Sequence, residues 1–264
     1  MTNCSHTYFT PFKIKVSSTD IPDKFTYPFD YTPHPLCLLA VEEVKQYLTS
    51  QTEWQHNFGI SEAQEGTVIG KMFGVLVVQT PANELGYLAA FSGKLAGGNF
   101  HAKFVPPVYD SLVEGDFLNR GMLNLSQINK EINLLEAMNL EENILQIATL
   151  KKQRKENSIA LQDKIFEQYH FLNQAGEEKS LNQIFKDSLH VKPSSGAGEC
   201  ATPKLLQYAF KHQLKPIAMA EFWWGLSPKS STWKHGTFYP ACKEKCAPIL
   251  GHMLKGMVVD EKPR

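Results

Sequence analysis

Five cysteines stand among the 264 residues. In a reducing compartment that number points to free thiols or metal ligation rather than to a disulfide framework. Cys242 and Cys246 are four residues apart, which puts both sulfurs on one side of a helix. Cys200 follows a Gly- and Ser-containing stretch and stands directly after Glu199, the candidate catalytic carboxylate. Thiols at helix starts make good metal ligands, because unpaired backbone N–H groups and the helix dipole favour the thiolate. Two further groups could do chemistry. Glu221-Phe-Trp-Trp-Gly225 sets a carboxylate beside Trp223 and Trp224; at a strand end such aromatics either stack a nucleobase or complete a core. Lys151, Lys152, Arg154 and Lys155 form a basic cluster, read as a solvated helix face or as an RNA contact. Gly93–Asn99 is glycine-rich and contains Lys94, but it lacks the Gly-x4-Gly-Lys-Ser/Thr spacing of a phosphate loop and reads as a flexible loop.

The elements that must position these residues follow from hydrophobic period. Residues 1–33 show no period and read as an extended arm. Pro35 suits a first helical position, and Leu36, Leu39, Ala40, Val44, Tyr47 and Leu48 repeat at helical spacing, predicting a helix over Pro35–Trp54. Lys71–Thr80 and Leu85–Gly93 are apolar runs joined by Pro81-Ala82-Asn83-Glu84, a hairpin signature. Both runs are nearly continuous in apolar residues, so both faces of their sheet should be covered. Ser126–Ile184 lacks proline and reads as a long, partly coiled-coil-like helical hairpin. A helix over Glu199–Gln213, a buried strand over Lys215–Gly225, a polar loop or small hairpin over 226–239 and a helix over Pro240–Leu254 complete the chain. The implied division is an arm at 1–33, the first half of an α/β domain at 34–125, the hairpin insertion at 126–184, the second half at 185–258 and a linker at 259–264.

Composition excludes some classes. Basic and acidic residues balance at 27 each, so no global field draws the chain to nucleic acid; any RNA contact must come from a local patch or another domain. No run of about 18 apolar residues is present, and the first ten residues lack a signal-peptide layout. A cytoplasmic location is the expectation.

Without the hairpin, the order is helix, strand, strand, helix, strand, helix. This order resembles the cytidine-deaminase fold, a three-layer α/β/α arrangement. In that fold zinc lies between the start of one helix, with a His or Cys and a Glu two residues on, and a Pro-Cys-x-x-Cys at the start of the next. The resemblance implies Cys200, Cys242 and Cys246 as metal ligands, with Pro240 just ahead of them and zinc as the cofactor. Two departures stand out. The second pair is Cys-x3-Cys, and Thr202 occupies the place of the proton-carrying Glu. His235, His252 and His190 are candidates for a fourth ligand.

Seven separated blocks carry a second resemblance. They are His34-Pro-Leu-Cys-Leu-Leu39, Gly70-Lys-Met-Phe-Gly-Val-Leu-Val-Val78, Leu85-Gly-Tyr-Leu-Ala-Ala-Phe-Ser-Gly-Lys-Leu95, Phe104-Val-Pro-Pro-Val108, Ser195-Gly-Ala-Gly-Glu-Cys200 with Pro203-Lys-Leu-Leu206, Ala220-Glu-Phe-Trp-Trp-Gly225, and Phe238-Tyr-Pro-Ala-Cys242. In this order, over about Pro33 to Val258, they resemble the region ahead of the catalytic domain in large bacterial RluA-type pseudouridine synthases. That family's catalytic domain carries an Arg-Leu-Asp motif whose aspartate attacks uridine; no Arg-Leu-Asp occurs here. The resemblance implies an accessory domain that positions structured RNA, tRNA or rRNA, or supports assembly, ahead of a catalytic domain outside the chain. The alternatives are a zinc-dependent nucleobase or nucleotide deaminase, and an oligomerisation module acting through the helical hairpin.

Overall fold

A computed structural model describes residues 7–14, 16–61, 65–112, 117–188 and 192–262. Among the described residues the protein is mixed α/β, with a five-stranded antiparallel sheet and six α-helices. In chain order the elements are β1 (Thr10–Pro11), α1 (Pro35–Ser50), β2 (Lys71–Gln79), β3 (Leu85–Phe91), α2 (Phe117–Met138), α3 (Ile144–Gln168), β4 (His170–Leu172), β5 (Glu178–Ser180), α4 (Leu181–Asp187), α5 (Ala201–Lys211), β6 (Lys215–Trp224), β7 (Phe238–Tyr239) and α6 (Lys243–Met253).

The main sheet has the order β1-β3-β2-β6-β7. The hairpin of β2 and β3 pairs Phe73 with Phe91 and Gln79 with Leu85, and β6 lies on the other side of β2, pairing Gly74 with Glu221. Alternation along the strands sends side chains to two covered faces. Phe73, Val75, Val77, Tyr87, Ala89 and Phe91 pack with Leu36, Cys37, Ala40, Val41 and Val44 of α1. Leu76, Val78, Leu88, Ala90 and Met219 pack with Leu205, Leu206 and Ala209 of α5, Ile249 and Leu250 of α6, and Phe185 of α4. Each fully buried Leu or Phe in these clusters contributes roughly 1.5–3 kcal/mol of transfer free energy. Cover on both faces is what the continuous apolar runs of β2 and β3 demand.

α1 begins where Pro35 predicts, with the His34 ring nitrogen accepting from the Leu36 N–H at 3.2 Å. It stops at Ser50 rather than Trp54, because the Gln51 side chain turns back to bond the N–H and carbonyl of Trp54. The arm is not wholly irregular: Thr10 and Pro11 form an edge strand on Tyr87 and Gly86.

The helical hairpin differs in extent from the sequence reading. It starts at Phe117 and ends at Gln168. The segment expected to continue it to Ile184 is instead the β4–β5 ribbon and α4. Asn173 explains the break: its side-chain oxygen accepts from the N–H groups of Ala175 and Glu177, which makes a turn competitive with helix. Gly176 takes the left-handed conformation that this turn requires, with φ +81°. Ser180 then starts α4 with a complete capping box through Gln183.

Gly74 fixes how closely α5 approaches the sheet. A Cβ at this position would sit 2.9 Å from the Ala201 Cβ and 3.2 Å from Leu205 Cδ1. The absent side chain lets the first turn of α5 rest on β2, and that contact sets the position of Cys200.

Candidate metal centre

Cys200 and Cys242 are the residues immediately preceding α5 and α6, in extended conformation, and neither side chain caps its own helix. Cys246 lies one turn into α6 and is buried. All three sulfurs lie within 4.8 Å of one another, and those of Cys242 and Cys246 are 3.7 Å apart. A tetrahedral zinc–thiolate site with bonds near 2.3 Å needs sulfurs about 3.8 Å apart, so the cluster has the dimensions to hold a metal ion. The two helices that carry it come from stretches 42 residues apart in sequence, Cys200 to Cys242.

The electrostatics favour one negative centre here. Hydrogen bonding among the neighbouring sulfurs of Cys200 and Cys246 is the main cause that holds the Cys242 thiol far below the ordinary range. The same sharing, with burial, pushes Cys200 and Cys246 up.

The first turn of α5 is anchored from three sides. The Ala201 N–H donates to Ser92 Oγ at 3.2 Å. Thr202 donates through both its N–H and its hydroxyl to Glu221 Oε1, at 3.0 and 2.7 Å. Pro203 has no N–H to satisfy. Glu221 is buried on β6, and its own N–H donates to the Tyr31 hydroxyl, which in turn donates to the Tyr239 carbonyl. Burial pushes the carboxyl up to about 7, against the lowering effect of the two Thr202 bonds.

Glu199 points away from this contact. It accepts from the Tyr169 hydroxyl at 2.9 Å, and its carbonyl accepts from the Gly93 N–H. Lys204, 3% exposed, donates to the carbonyls of Phe91 and Gly93 at 2.9 and 3.1 Å; burial pushes its ammonium down to about 8. The glycine-rich segment at Gly93–Asn99 is thereby tied to α5, and Leu95 and Gly98 bond each other reciprocally in a tight turn. The segment is a loop, as the sequence predicts, closed by this turn.

The structure places the remaining candidates as follows. His252 bonds the Phe171 carbonyl at the far end of α6, and His235 accepts from the Gly225 N–H beside Trp224. Neither joins the sulfurs, so among the described residues the cluster has no fourth protein ligand; His190 lies outside the described residues. Trp224 is buried in the α1-side core, and its indole N–H finds no acceptor among the described residues. Trp223 is half-buried, stacked on Trp233 at 5.3 Å. Lys151, Lys152, Arg154 and Lys155 are exposed on α3, with Lys151 bonded to Glu136 at 2.7 Å and Lys152 at 4.0 Å from Glu156.

Sequence reasoning singled out Glu221 only as a neighbour of two tryptophans and gave Lys204 no role. The available signal was one of isolation. A lone carboxylate in the apolar run Lys215–Trp224 has to find donors inside the fold, and a lone ammonium on the buried face of α5 has to find acceptors. No family model, no curated protein and no solved structure matches the chain. No helix among the described residues is long and apolar enough to cross a membrane.

The buried carboxyl has a pH signature. Between pH 4.5 and about 7 the unfolded chain loses this proton while the folded chain keeps it. The folded state thus binds more protons, and stability falls as pH rises through that window. Glu221→Gln keeps an acceptor for Thr202 and removes the ionisation. In metal-free protein it should raise stability by roughly 1–3 kcal/mol above pH 7, with the gain fading towards pH 4.5. Thermal unfolding across pH 4–8 measures this; a gain independent of pH contradicts it.

Proposed function

We propose that this chain is a zinc-binding accessory domain of an RNA-modifying protein, built on a three-layer, cytidine-deaminase-like arrangement, with uridine isomerisation carried by a catalytic domain outside the chain. The observation that carries the metal half is the convergence of Cys200, Cys242 and Cys246 at the starts of two helices. The run of α1, β2, β3, α5, β6 and α6, with helices packed on both sheet faces, supports the deaminase-like reading. The RNA half rests on the seven sequence blocks that resemble the leader region of the large pseudouridine synthases, and on the absence of an Arg-Leu-Asp motif.

Bound by three thiolates, zinc supplies a Lewis-acidic centre with one coordination position left for a water or other ligand. The protein's own part is to hold the sulfurs. Gly74 and the Thr202–Glu221 bonds seat the first turn of α5, while Ile249 and Leu250 seat α6 in the same core. In this reading the ion is first a clasp between two helices, and folding and metal affinity are linked.

A second reading, hydrolytic deamination of a nucleobase, has one observation in its favour. The three sulfurs have no fourth protein ligand among the described residues, and a buried carboxylate, Glu221, bonds the residue that stands where the deaminase pattern has its glutamate. Deaminase chemistry needs a carboxylate able to exchange protons beside the metal site, and in this reading Glu221 would take that part.

Three measurements separate these readings. Protein purified without chelators should contain close to one zinc per chain, falling below about a tenth in Cys200→Ser or Cys242→Ser, and chelation should lower Tm; metal-free wild type with unchanged stability removes the site. Reversing the charge of Lys151, Lys152, Arg154 and Lys155 together should weaken binding to structured RNA at least about tenfold and flatten its salt dependence; unchanged affinity takes the arm out of the RNA account. Zinc-loaded protein should release no ammonia from cytidine or adenosine in RNA if the site is structural. Release that disappears in Glu221→Gln with zinc retained would instead establish the deaminase reading.

A further inference from the structure

α2 lies mainly against α3, burying Leu125, Ile128 and Ile132. Its opposite flank is exposed, yet it carries Leu123 (64% exposed), Leu134 (63%) and Met138 (58%). At about 100° per residue, these three share one stripe with Arg120, Gln127, Lys130 and Glu131. The spacing from Leu123 through Gln127, Lys130 or Glu131, and Leu134 to Met138 is the three–four repeat of a coiled-coil seam with no helix seated in it.

The stripe is also self-complementary when reversed. Two copies laid antiparallel about an axis between residues 130 and 131 bring Leu123 opposite Met138 and Gln127 opposite Leu134. Lys130 then faces Glu131 of the second copy, and Glu131 faces Lys130, so the centre carries two ion pairs of correct sign. At the ends, Arg120 reaches the Glu141 region of the other copy. Within one chain, Arg120, Lys130 and Glu141 have no ion-pair partner among the described residues, and Glu131 takes only a hydrogen bond from Gln146. An orientation with parallel helices would set Lys130 on Lys130 and Glu131 on Glu131, which like-charge repulsion disfavours.

We propose that α2 is a dimerisation face and that its partner is α2 of a second copy of this chain, packed antiparallel about a two-fold axis. Such a contact is isologous and closes on itself. A single pair of 22-residue helices, each about 33 Å long, makes an interface smaller than the standard of about 1,600 Å², so the dimer is reversible. The proposal is independent of the metal reading: its residues lie on α2 and the turn after it.

Sedimentation velocity of the full chain from about 1 μM to about 1 mM tests it. Expected is a rise from monomer to dimer mass with no larger species. Leu134→Glu should abolish that rise. Lys130→Glu and Glu131→Lys should each raise the dissociation constant at least about tenfold. Mixing those two variants should restore association as a heterodimer, and the double swap should restore it within one chain. Circular dichroism controls for loss of helix in each variant. A chain that stays monomeric throughout, or a dimer indifferent to Leu134→Glu and to both charge variants, overturns the proposal. So does association that occurs only when RNA is added, which would make nucleic acid the partner of the arm.

Discussion

Two helix N-termini aimed at one point repel each other, because each end carries partial positive charge and unpaired N–H groups. The meeting of α5 and α6 at Cys200 and Cys242 is stable only if something negative sits between them. The lowered thiol of Cys242 is the group there that most readily carries negative charge, and a metal held by three thiolates, with net negative charge, would meet the demand more fully. Glu221 supplies the remaining acceptor on the α5 side. Its raised carboxyl shows the conflict between burial, which resists a charge there, and the N–H groups that ask for one. The sheet, the two helices and the site are therefore one electrostatic problem with one solution.

Sterics decide whether that solution can be reached. The side chain missing at Gly74 allows the contact with Ala201, and the strand register that pairs Gly74 with Glu221 puts the carboxylate beside Thr202. One residue of slip in β6 would turn Glu221 to the α1 face, into an apolar cluster with no donor to meet it. The register is thus held by a polar pair as well as by the aromatic and aliphatic alternation around it.

Much of this was legible in the chain. The apolar runs over β2, β3 and β6 and the helical periods of α1 and α5 locate their elements to within a few residues, because each is long and buries a continuous face. The convergence of the three sulfurs could be inferred only by matching the order of elements to a known pattern, since nothing local says that Cys200 lies beside Cys242. The β4–β5 ribbon and β1 escaped because two- and three-residue strands carry no period; the Asn173 turn decides the ribbon, and pairing with β3 decides β1. Glu221 stood in plain view, but its role depends on Thr202, a contact made across the fold rather than along the sequence.

The Ser92 hydroxyl accepts from the Ala201 N–H, and the Gly93 N–H donates to the Glu199 carbonyl. The chain therefore departs from the end of β3 and re-enters at α5 through the same doorway. Between these points the chain adds Phe104, Phe171, Leu181 and Phe185 to the core, and the α2–α3 hairpin is carried on that packed segment. Closure entropy grows only with the logarithm of a loop's length, so the length of the α2–α3 hairpin weighs little on the sheet and its two thiol-bearing helices. This is the kind of junction at which an evolving lineage can lengthen, shorten or exchange an arm without rebuilding the centre.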